Sequence, residues 1–157
     1  LMSTYSPIKS MRGKTSEAGH GLGLVYYAIT WTVLAYVFFG HREIIAMAIL
    51  AMSYGDGLAS LIGIKYGQRK YTIFKDTKSY VGSFAMFGFT FLLFLVALGF
   101  YVTYGGTPAP SNLVRVTLYF LCMAGIATMI EGITPLGLDN LSVPFVTAVM
   151  YWAFLVG

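Results

Sequence analysis

The sequence predicts an all-α, polytopic membrane helix bundle of about five transmembrane helices with a cytoplasmic N-terminus. Three observations predict it. Of 157 residues, 57% are hydrophobic and only 10% charged, against about 25% charged in an ordinary soluble domain. The mean hydropathy of +0.74 makes lipid the main solvent of the chain. The apolar residues gather in long runs, and the basic residues gather on one side of them.

The runs extend from about Leu22 to Phe39, Ile44 to Ile64, Tyr80 to Thr103, Leu113 to Thr134 and Leu141 to Val156. A spanning helix needs about 20 mostly apolar residues, so the first four qualify and the last is marginal. The tract GGTPAPSN, Gly105 to Asn112, is the clear breaker cluster and reads as an uncharged turn. No internal repeat is visible. Cys122 lies inside the fourth run, with no activating base or cation near it in sequence, and reads as a small buried hydrophobe.

Orientation follows from charge. With the N-terminus cytoplasmic, Lys9, Arg12, Lys14, Lys65, Arg69, Lys70, Lys75 and Lys78 fall inside, and only Arg42 and Arg115 fall outside. The net charge of +4 therefore calls for no nucleic acid: a basic loop beside the membrane explains it, and the same loop can hold phosphates. The same topology places Glu17, Asp56, Asp76, Glu131 and Asp139 on that side as well. Asp56 and Glu131 lie within apolar runs, where an ionised carboxylate costs several kcal/mol. Each either faces a cavity, a ligand or a metal, or pairs with a basic neighbour and fixes helix packing.

Three segments carry the chemistry. In YGDGLASLIGIKYGQRK, Tyr54 to Lys70, Asp56 stands between Gly55 and Gly57, where backbone can approach a ligand closely or a helix can break. Gly63 and Gly67 follow at a spacing of four, which equally describes a close-packing helix face. The run opens into a loop bearing Lys65, Arg69, Lys70, Lys75 and Lys78. A carboxylate that can hold Mg²⁺, glycines that admit phosphate and several cations together suit a nucleotide triphosphate. In KDTKSYVGS, Lys75 to Ser83, Lys78 and Ser79 stand at the start of the third helix, with Gly82 in its first turn. Free backbone N–H groups there favour an anion, although Ser79 also reads as a plain N-cap. In EGITPLGLDNLSVP, Glu131 to Pro144, Glu131, Asp139 and Asn140 add three oxygen-bearing side chains on the side of Asp56, enough to complete a divalent-metal site, while Asp139 or Asn140 also reads as a helix cap. Arg12, Glu17 and His20 form a polar entry segment ahead of the first helix.

The order GDGLASLIGIKYG, then TKSYVGS, then a Glu followed by LDNLSVP resembles the CTP-dependent lipid-alcohol kinases, which include phytol and dolichol kinases and are related to phosphatidate cytidylyltransferase. Arg12, Glu17 and GLVYYAIT, Gly23 to Thr30, resemble the phytol-kinase branch. The resemblance runs from about Arg12 to Pro144. It implies transfer of the γ-phosphate of CTP to the hydroxyl of a membrane isoprenoid alcohol, with Mg²⁺ or another divalent cation. It places Asp56 on the metal with Gly55 and Gly57 shaping its turn. It places Lys78, Ser79 and Gly82 on the nucleotide phosphates, helped by basic residues of the preceding loop such as Lys65, Arg69 and Lys70. Glu131, Asp139 and Asn140 complete the polar site, with the general base unassigned. The chain departs from the family in two respects. It has Val81 where a Glu often precedes the glycine of the Lys-Ser block, and residues 1–157 read as one lipid-kinase-like domain lacking the family's usual upstream membrane segments. Two other readings stay open, a lipid cytidylyltransferase and a small membrane transporter. The alcohol and the oligomeric state are not legible in the residues.

Overall fold

Among the described residues, five helices run alternately up and down, and Asp56, Lys70, Asp76, Lys78, Glu131 and Asp139 gather at one end of them. The computed structural model describes residues 21–73 and 76–156. Helix α1 is Gly21–Val37. Helix α2 runs without a break over Arg42–Tyr66. Its middle, Leu50–Asp56, is wound as a π-helix between α-helical Arg42–Ile49 and Gly57–Tyr66. Strands β1, Lys70–Ile73, and β2, Asp76–Ser79, follow as an antiparallel pair. Helices α3, α4 and α5 are Tyr80–Tyr104, Leu113–Ile133 and Asp139–Val156.

The helices are those the apolar runs predict. Of the described residues, Arg42–Tyr66, Tyr80–Tyr104 and Leu113–Ile133 are long and apolar enough to cross a membrane. Helix α1 has 17 residues and α5 has 18 with Pro144 inside it, both shorter than the usual span of about 20. The tract after Gly105 is coil that ends at Asn112, whose side chain accepts a hydrogen bond from the Arg115 N–H at 2.9 Å and caps α4.

Burial follows the lipid logic. The interior is a cluster of Leu34, Ile44, Met47, Met86, Phe94, Phe120, Met123 and Tyr151, with Phe94 and Phe120 in edge-to-face contact at 5.6 Å. Large apolar side chains such as Leu24, Ile64, Phe84, Val114 and Met129 point outward and are exposed. In water that exterior would be an extended apolar surface, and in a bilayer it is the required one. Cys122 lies on this exposed face and not in the core, because its position on α4 faces away from the packed helices.

Helices α2 and α3 meet through small residues. A Cβ on Gly63 would stand 2.7 Å from Ser79 Oγ and 3.4 Å from Gly82 Cα, and a Cβ on Gly55 would run into Thr90 Oγ1. The helix does not break at Asp56: Gly55 lets α3 approach α2, whereas a Cβ on Gly57 would meet nothing within 4 Å and its φ of −58° is ordinary helix. Gly67 ends α2, where a Cβ would collide with Gly63 O and Ser79 Cβ. The spacing of four thus serves close packing. Gly63→Val is expected to force α2 and α3 apart and to cost about 1–3 kcal/mol, visible as a lower thermal midpoint in detergent with helical content intact below it. An unchanged midpoint would contradict this packing role.

One element departs from the all-helical reading. The segment read as a basic loop holds the β1–β2 pair, with Lys70 opposite Ser79, Tyr71 opposite Lys78, Thr72 opposite Thr77 and Ile73 opposite Asp76. Two short strands are marginal alone. Here they are fastened to the bundle by the Tyr71–Ser83 hydroxyl pair at 2.7 Å and by Asp76 Oδ2, which accepts the Leu136 N–H at 2.6 Å.

Candidate active site

The alternation of a strand decides what the site receives. Side chains of β1 and β2 alternate in burial, so Tyr71, Ile73, Asp76 and Lys78 are partly buried while Lys70, Thr72 and Thr77 are exposed. The register therefore carries Lys78 onto the end of α4. Its Nζ donates to Glu131 Oε1 at 2.5 Å and to the Glu131 carbonyl oxygen, and lies 3.5 Å from Asp139 Oδ2. That carbonyl belongs to the last turn of α4, where helix oxygens lack an intrahelical partner and the dipole favours a cation.

Glu131 is only 7% exposed, near the end of α4. Asp139 opens α5, and its Oδ1 accepts the Asn140 N–H at 2.9 Å. The turn between them contains Leu136 and Gly137 in left-handed conformation, φ 58° and 76°. Leu136 holds that strained geometry while Asp76 accepts its N–H, so β2 braces the turn that presents Asp139. Asp56 reaches the same place from the π segment of α2. One oxygen from each of Asp56, Glu131 and Asp139 can be chosen so that all lie within 4.8 Å of one another. Burial pulls the pKa of Lys78 down, but the charge and hydrogen bond of Glu131, then the charges of Asp139 and Asp56, outweigh it and leave it above the ordinary lysine value. Lys78 is thus a cation at neutral pH.

Around this cluster lies a cavity of about 510 Å³, open at one end of the bundle. The residues singled out in the sequence divide over it. Asp56, Gly63, Lys70, Lys78, Ser79, Gly82, Glu131, Asp139 and Asn140 line it, whereas Gly55, Gly57, Lys65, Gly67 and Arg69 do not. Lys65 lies instead over the Tyr66 ring at 5.1 Å. Ser79 is an N-cap: its Oγ accepts the Gly82 N–H at 3.0 Å. Asn140 ties the cavity to α1, since its carbonyl accepts the Thr30 hydroxyl at 2.7 Å and Gly23 packs beside its amide. Arg12, Glu17 and His20, with Lys9, Lys14 and Lys75 of the charge count, lie outside the described residues. Sequence reasoning passed over Ser60, Asp76, Thr77 and Ser83, which also line the cavity. The alternation of DTKS held the signal for Asp76, because a strand puts it on the same face as Lys78.

The three carboxylates fit a divalent cation in kind and in spacing. Oxygen ligands at about 2.1 Å from one Mg²⁺ are about 3 Å apart when adjacent and about 4.2 Å when opposite, so small side-chain adjustments suffice.

Such a fold and site define an integral membrane protein with a charged, carboxylate-lined cavity at one end of its helix bundle. The chain is 33% identical over 144 residues to a phytol kinase of Synechocystis sp., covering 88% of this chain and 57% of that protein. It is 34% identical over 137 residues to a probable chloroplastic phytol kinase 1 of Glycine max, covering 84% and 44%. It is 34% identical over 130 residues to the chloroplastic phytol kinase 1 of Arabidopsis thaliana, covering 80% and 41%. Over the residues so matched the chain is similar to phytol kinases, and it spans about half the length of these curated relatives. No protein-family model matches the chain, and no solved structure matches it either.

Proposed function

We propose that the protein is a membrane lipid kinase that transfers the γ-phosphate of CTP to the hydroxyl of an isoprenoid alcohol of the phytol type, at the cytoplasmic face. The observation that carries this reading is the meeting of Asp56, Glu131 and Asp139 with Lys78 in a cavity at one end of the helix bundle, in a chain related to phytol kinases. Asp56, Glu131 and Asp139 would hold a divalent cation, which when bound neutralises phosphate charge and fixes the donor for in-line transfer. Lys78 supplies a cation that can move from carboxylate to phosphate, and Lys70 supplies a second at the rim of the cavity. The N-terminus of α3, with the backbone of Ser79 and Gly82 lining the cavity, adds a favourable dipole for phosphate. Transfer of this kind rests on positioning and charge neutralisation, so no strong base is required of these residues. The tail of the alcohol stays among the lipid-facing helices while the nucleotide enters from water.

The test supplies purified protein in lipid with phytol and other isoprenoid alcohols, Mg²⁺, and CTP labelled at either the γ- or the α-phosphate. Label entering the alcohol from the γ position alone is the expected result, with ATP substituted in parallel to settle the donor. Label entering a lipid phosphate from the α position would instead make the protein a cytidylyltransferase. No nucleotide-dependent transfer from either would favour the transporter reading.

A further inference from the structure

Among the described residues, four carboxylates, Asp56, Asp76, Glu131 and Asp139, and two ammonium groups, Lys70 and Lys78, line the cavity. A triphosphate brings further negative charge, which a divalent cation among the carboxylates would offset. The place for that cation is already taken. Lys78 Nζ is 2.5 Å from Glu131 Oε1 and 3.5 Å from Asp139 Oδ2, so it engages two of the three carboxylates whose oxygens converge within 4.8 Å. A metal ion and an ammonium cannot occupy the same few ångströms without strong repulsion. Lys78 is also suited to leaving: it stands on a short strand and carries its charge on a flexible four-carbon stem.

We propose that Lys78 is an internal stand-in for the metal, displaced from Glu131 when a divalent cation enters among Asp56, Glu131 and Asp139, and turned by that displacement toward the nucleotide phosphates. The inference rests on the metal–nucleotide reading given above and adds an order to it. Metal binding both fills the carboxylate cluster and frees the ammonium, so both cations become available to the triphosphate. Lys78 is then a positioning cation before nucleotide arrives and a phosphate contact after it.

The experiment measures Mn²⁺ binding by electron paramagnetic resonance to the full protein in lipid nanodiscs, without nucleotide, for wild type, Lys78→Gln and Asp56→Asn. Lys78→Gln is expected to bind Mn²⁺ roughly tenfold or more tightly than wild type, because the competing ammonium is gone. Its affinity for CTP in the presence of Mn²⁺ is expected to fall by a similar factor, a split that a merely structural lysine would not give. Lys78→Met, which keeps the stem without the ammonium, repeats the measurement, and circular dichroism reports the helical content of each variant. Equal or weaker Mn²⁺ binding by the Lys78 variants, with binding still lost in Asp56→Asn, would overturn the displacement and leave the metal site standing. Absence of saturable Mn²⁺ binding in every variant, wild type included, would overturn both.

Discussion

Asp56→Asn is expected to lower phosphoryl transfer by about a thousandfold while leaving the bundle folded. The substitution keeps the size of the side chain and removes its charge, so the close packing of α2 on α3 is untouched. What it removes is one of three carboxylates whose oxygens converge within 4.8 Å. A cluster of two carboxylates already shared with Lys78 is a poor trap for a divalent ion. The loss should appear in turnover at saturating nucleotide and be only partly relieved by raising Mg²⁺. Activity within about tenfold of wild type would remove Asp56 from the metal set and leave it a packing carboxylate.

The position of Asp56 shows where sequence reading succeeds and where it stops. Glycines on either side of an aspartate in an apolar run singled out a residue that lines the cavity beside Glu131 and Asp139, since an ionised group in hydrocarbon must have a partner. They did not disclose how it is aimed. Over Leu50–Asp56 the helix widens to a π-helix, which changes the phase of every later side chain relative to a regular α-helix. Nothing in LAMSYGD announces that winding. Within that segment Gly55 packs against Thr90 of α3, a contact between helices that the local sequence does not contain. The five helices were legible because length and apolarity are properties of single segments. The β1–β2 pair was not, since KYTI and DTKS are too short and too polar to be strands alone and become so only by docking on Ser83 and Leu136. The basic residues of that stretch looked equivalent in sequence. The alternation of the strand then turns Lys78 inward, Lys70 reaches the cavity from β1, and Lys65 and Arg69 remain away from it.

The second large effect concerns Glu131, for which the sequence offered both a packing role and a functional one. The structure supports the packing role directly, since Glu131 is buried and paired with Lys78. It also supports the other, since the same carboxylate faces the cavity beside Asp56 and Asp139. Stability and activity separate the two. Glu131→Leu strands the Lys78 ammonium in a partly buried place and should cost up to about 3–5 kcal/mol, moderated by Asp139, which stays near enough to take the charge. Replacing both members, Lys78→Met with Glu131→Leu, removes the stranded charge, and a pair of apolar side chains of similar volume is often no less stable than a buried ion pair. The double variant should therefore recover most of the thermal midpoint lost in Glu131→Leu. It should not recover transfer, because both the carboxylate and the phosphate-seeking ammonium are gone, and a loss of about a thousandfold should persist. Recovery of activity along with stability would mean that the pair only holds β2 to α4, and that the chemistry resides elsewhere in the cavity. Stability restored with activity absent assigns the ion pair to the reaction, with its contribution to the fold secondary.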